Sequence, residues 1–115
     1  MKLKDALSEF YKEVNELFQK QGLEQLSEQL PHLEIDNRCN CGDDFCSTFY
    51  VKPLRKLNIV EENIIGHKHE KSIDLEAKEG YIIIDIDNFG SITSFEVLHR
   101  PDVEKGLAKL FDKKV

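Results

Sequence analysis

The sequence predicts an α+β domain: an antiparallel β-sheet of about four to six strands covered by an N-terminal helical segment and a C-terminal helix. Three observations carry that expectation. Apolar residues recur every three or four positions near the N-terminus, a period of two around residues 80–87 sets Ile82, Ile84 and Ile86 opposite Asp85 and Asp87, and a second helical stripe follows Pro101.

In the first segment Leu3, Leu7, Phe10, Val14, Leu17 and Phe18 are separated by Lys, Glu and Gln, which places one apolar stripe on one amphipathic helix. Gly22 interrupts the stripe. Leu23, Leu26 and Leu30 then resume helical spacing up to Pro31, as a second short helix or a kinked continuation.

Beyond Pro31 the period falls to two, with Leu33 and Ile35 alternating against Glu34 and Asp36. Residues 33–39 and 46–52 read as a hairpin whose tip, "NCGDD", contains Gly42 to supply a positive φ. Residues 53–63 show no clear period, and 64–69 and 72–77 read as short strands. "GYIIIDID" is the strongest strand: Ile82, Ile84 and Ile86 share one face and Asp85 and Asp87 the other. "NFG" turns the chain, and "SITSFEVL" returns antiparallel. Strict alternation would set Ile92 opposite Phe95 and Val97, so a bulge near Ser94 is expected to bring all three to the core. In the last segment Pro101 suits a first turn, Asp102 and Glu104 favour the helix N-terminus, and Lys113 and Lys114 favour its C-terminus. Val103, Leu107, Leu110 and Phe111 form its stripe.

A length of 115 residues suits one domain with its own core. The net charge of -6 repels nucleic-acid phosphates, and the one basic cluster, "KPLRK" at 52–56, lacks interleaved aromatics. No apolar run is long enough to span a bilayer, and the N-terminus lacks the apolar core of a secretory signal. The expected partner is therefore another protein, with neither nucleic acid nor membrane, and the expected location is the cytoplasm. An edge strand such as 46–52 or 72–77 could pair across a twofold axis.

All three cysteines fall in "RCNCGDDFC" at 38–46. Cys39, Cys41 and Cys46 can offer three thiolates to zinc, with His67 and His69 as the candidate histidines, His32 or His99 as others, and Asp43 and Asp44 nearby. The spacing lacks the second paired knuckle of a zinc ribbon, so the competing reading is of small buried apolar residues at a hairpin end. A reactive thiol is disfavoured by the two adjacent aspartates. The stretch from Asp85 to Glu96 imitates a calcium loop, but Phe89 stands where an acid or amide belongs and the flanks alternate as strands. The sequence carries no glycine-rich phosphate loop, nucleophile elbow or metalloprotease helix, so the enzyme question leans to no.

"RCNCGDDFCSTFYV" together with "EGYIIIDIDNFGSITSFEVLHRPD" resembles small bacterial proteins that pair a cysteine-glycine segment with a C-terminal hairpin of the form G-x-I-x-x-F-E-V-L. The resemblance implies a bacterial cytoplasmic protein and transfers no active residue. On size, acidity and motif content the leading expectation is a non-enzymatic binding module of the immunity or antitoxin type. A small zinc protein using the three cysteines is the alternative, and a thiol-dependent enzyme the third.

Overall fold

The computed structural model describes residues 1–41, 43, 45–54 and 71–111. Among these residues the chain runs α1 (Leu3–Ala6), α2 (Ser8–Lys20), α3 (Glu24–Gln29), a 3₁₀ turn (Leu30–His32), β1 (Ile35–Arg38), β2 (Phe49–Val51), β3 (Lys71–Leu75), β4 (Tyr81–Ile86), β5 (Ile92–Leu98) and α4 (Pro101–Phe111). The strands form one antiparallel sheet in the order β1-β2-β5-β4-β3. The α+β class and the flanking helices are thus as expected. The strand expected at 64–69, the lysines at 113 and 114, and Gly42 lie outside the described residues.

The helices cover one face of the sheet, where apolar side chains meet with almost no exposure. Phe49 and Phe95 are a cross-strand pair whose rings stack at 5.0 Å, and Phe10 from α2 sets its edge against both at 6.0 Å. Offset and edge-on rings match the electrostatics of aromatic faces and edges, adding to the burial of three large side chains. Ile82, Ile84 and Ile86 are buried together, as the alternation requires.

The bulge is present. Asp85 pairs with Ser94 and Ile86 with Ile92, so Thr93 is the extra residue of β5, and Ile92, Phe95 and Val97 are all fully buried. The calcium-like stretch is a hairpin turn between β4 and β5. The Asp87 carboxylate accepts the N–H groups of Phe89 and Ser91 at 2.9 and 3.0 Å, and Gly90 takes φ +82.

Gly22 ends α2 because the chain there needs a left-handed residue, at φ +72. The N–H of Leu23 reaches the carbonyl of Phe18 at 2.8 Å and that of Gly22 reaches Gln19 at 3.3 Å, the paired bonds of a glycine-terminated helix.

The first helix is not continuous. Leu7 adopts φ -132 between α1 and α2, although it remains buried. Gly106 of α4 leaves the space into which Leu7 fits, since a Cβ there would strike the leucine side chain. Phe111 is a second departure from expectation, for it is 36% exposed while Val103 and Leu107 are buried. The α4 stripe fades by its last turn. Strand 46–52 is not an edge, because β2 lies between β1 and β5; among the described residues the edges are β1 and β3. Met1 and Lys2 flank β1, through the Ile35 N–H to Met1 carbonyl bond and a Lys2–Glu34 bridge.

A buried guanidinium joins these layers. Arg100 is 5% exposed and its five N–H donors meet five bonds: Glu13 through both carboxylate oxygens at 2.7 and 3.1 Å, Asp102 twice at 3.0 Å, and the Glu79 carbonyl at 3.4 Å. Full satisfaction lets the cation sit 6.0 Å above the Phe10 ring without an orphaned charge. Gly80 passes directly beneath at φ +66; a Cβ there would lie 2.5 Å from the Leu98 carbonyl oxygen and 2.9 Å from Arg100 Cδ.

Candidate metal centre

The β1–β2 hairpin brings the sulfurs together as its pairing dictates. Arg38 pairs with Phe49, and the Cys39 N–H donates to the Thr48 carbonyl at 2.9 Å. The chain then turns back, with the Cys46 N–H donating to the Asp43 carbonyl at 3.2 Å, and Cys46 bridges to Leu98 of β5. In consequence Cys39, Cys41 and Cys46 Sγ all lie within 4.8 Å of one another. None is disulfide-bonded. Four-coordinate zinc, with bonds of about 2.3 Å to sulfur, sets sulfurs roughly 3.8 Å apart, so small side-chain rotations suffice to close the site.

The three are not core residues. Cys41 is exposed and the other two are half-buried, which overturns the reading of the cluster as packing at a hairpin end. Alternation puts Cys46, Thr48 and Tyr50 on the sheet face turned away from the helices, while Phe49 points into the core. Thr48 is nonetheless buried.

Hydrogen bonds to sulfur give the site its electrostatic character. Burial raises the Cys46 thiol, but the hydroxyl and amide of Thr48 and the thiols of Cys41 and Cys39 all donate to it and together lower it below the ordinary value. Cys41 accepts the backbone N–H of Asp43, which lowers it, yet its bonds to Cys46 and Cys39 outweigh this and push it up to about 11. The aspartate expected to oppose a thiolate contributes an amide that stabilises one. Tyr50 is raised by burial and by the charge and hydrogen bond of Cys39, so its hydroxyl is a donor to that sulfur across the neutral range. Donors of this kind orient metal ligands and disperse thiolate charge.

Other residues named from the sequence stand apart. His99 is exposed, holds φ +59, and stacks on Phe45 at 5.1 Å; His32 is exposed in the 3₁₀ turn. Neither joins the sulfur group. His67, His69 and Asp44 lie outside the described residues. Sequence reasoning missed Thr48 and Tyr50, although their period-two spacing from Cys46 was readable. It also missed an acidic pair on the same sheet face. Asp85 accepts the hydroxyls of Ser72 and Ser94 at 2.7 Å each, and Glu96, hydrogen-bonded to Asp85 and partly desolvated, is raised to about 7.

Comparison with protein families, with curated proteins and with solved structures returns no match. Among the described residues no helix is long and apolar enough to cross a membrane. The donor set, three convergent sulfurs with hydrogen-bond donors behind them, fits a thiophilic metal ion.

Proposed function

We propose that this chain is a small metal-binding protein in which Cys39, Cys41 and Cys46 hold zinc, with His67 or His69 as the fourth ligand. The observation that carries the reading is the convergence of the three sulfurs within 4.8 Å of one another at the β1–β2 turn. Packing alone gives no reason to gather three thiols on an exposed loop, whereas a metal requires it.

Zinc in such a place is structural or sensory. It would cross-link the β1–β2 tip to β5 through the Cys46–Leu98 bridge, and its binding free energy would add to folding. The inhibitor-type reading rests on size and charge and has no structural observation behind it.

Substitution with cobalt(II) tests the proposal. Three thiolates in a tetrahedral field give an intense sulfur-to-cobalt charge-transfer band and strong visible bands, and zinc displaces both at equal concentration. Weak visible absorption without a charge-transfer band would mean that the sulfurs do not bind. Histidine substitution then addresses the fourth position: His67→Ala or His69→Ala, whichever supplies the ligand, should shift the visible bands, and an unchanged spectrum on the double substitution would remove both residues as ligands.

A further inference from the structure

We propose that the sulfur site is also a thiol switch, in which a hydroperoxide joins Cys41 to Cys46 and leaves Cys39 free. The proposal deepens the metal reading, and rests on it only for its consequence, the expulsion of the ion.

Geometry selects the pair. Cys39 is held beside the β1–β2 ladder by its N–H bond to the Thr48 carbonyl. Cys46 is anchored to β5 by its bridge to Leu98. Cys41 alone of the three is exposed, so its sulfur has the most room to rotate. The Cys46 N–H also donates to the Asp43 carbonyl at 3.2 Å, which ties Cys46 to the residue two places beyond Cys41. The sulfurs start within 4.8 Å and must approach to about 2.05 Å, a gap that rotation of an exposed side chain and a small loop shift can cover.

The chemistry balances. One sulfur of the pair, as thiolate, attacks a peroxide oxygen; the O–O bond breaks and a protonated alcohol or water leaves, giving a sulfenic acid. The second thiolate attacks that sulfur, the S–O bond breaks, and the departing hydroxide takes up a proton as water. Two thiols and one hydroperoxide become one disulfide, one alcohol and one water, with two electrons passing from sulfur to peroxide. One free thiolate cannot hold an ion that three had held.

The experiment uses the full chain, loaded with zinc, desalted anaerobically and titrated with hydrogen peroxide. Thiols, released zinc and disulfide-linked peptides are measured together. The expected result is loss of two of the three thiols, one zinc released per chain, a peptide linking Cys41 to Cys46, and full reversal by dithiothreitol. Cys39→Ser should still form the link, and Cys41→Ser should not. Zinc bound tightly with no intramolecular link after the ion is stripped and peroxide added would overturn the switch and leave the metal reading standing. A reversible Cys41–Cys46 link in a chain that never binds zinc would overturn the metal reading and support the switch. Linkage through Cys39, only intermolecular links, or direct passage to sulfonic acid would each overturn the switch.

Discussion

Arg100→Met tests how far the buried ion network holds the helices, the sheet and the sulfur site in register. The substitution keeps the aliphatic stem over Phe10 and deletes five hydrogen bonds to Glu13, Asp102 and Glu79. Removing one partner of a buried pair costs about 3–5 kcal/mol when the other is left dry. Here the side chains of Glu13 and Asp102 are 31% and 55% exposed, so the freed carboxylates rehydrate and the cost falls to about 2–3 kcal/mol. For a chain of this length the unfolding entropy converts that to a fall in Tm of about 8–12 °C. Denaturant melts of both proteins, fitted with a shared slope, give the difference directly. Because Arg100 follows the Leu98 bridge to Cys46 by two residues, zinc affinity should weaken alongside. A loss under about 0.5 kcal/mol would refute the reasoning, since it would mean the carboxylates are as well placed without the cation as with it.

Other perturbations follow from the same geometry. Gly106→Ala drives a methyl into the Leu7 side chain and should destabilise by about 1–3 kcal/mol, read by thermal melting; an unchanged Tm would show that the α1–α2 break does not depend on that contact. Thr48→Val removes the hydroxyl that donates to Cys46 while keeping the shape, and zinc affinity measured by chelator competition should fall about 10-fold or more. Glu96 is raised to about 7 in the folded chain, above its unfolded value near 4.5, so the native state binds the extra proton and stability falls as pH rises through that window. Its partial exposure discounts the effect to about 1 kcal/mol, and Glu96→Gln should flatten the decline in unfolding free energy between pH 5 and pH 8, read from denaturant melts, by roughly that amount. Asp102 runs the other way: its bonds to Arg100 hold its carboxyl below the usual range, so its contribution is present above the unfolded pKa and is lost as pH falls through the folded one. Asp102→Asn should therefore reduce the steepness of acid unfolding below about pH 4.

Much of the fold was legible because β4, β5 and α4 bury one face each, and a one-faced element writes its period into the sequence. Ile82, Ile84 and Ile86 follow the alternation of β4, whereas in β5 the alternation breaks at Thr93, and the misfit of Ile92 against Phe95 was itself the sign of a bulge. The break at Leu7 left no such sign. A leucine at helical spacing looks the same in a continuous helix and in a bent one, and the space it fills is made by Gly106, far along the chain. The three cysteines were legible from spacing, and the hairpin reading correctly brought Cys39 and Cys46 together. Arg100 was not legible, because its partners come from α2 and from the loop before β4. Only tertiary packing reveals them.

The most direct test of the account is the zinc content of untagged protein, purified anaerobically and measured together with its free thiols. The account predicts about one zinc per chain, with Cys39, Cys41 and Cys46 slow to alkylate until a chelator is added. Less than about 0.1 equivalent after incubation with zinc, with all three thiols reacting at the rate of free cysteine, would contradict it.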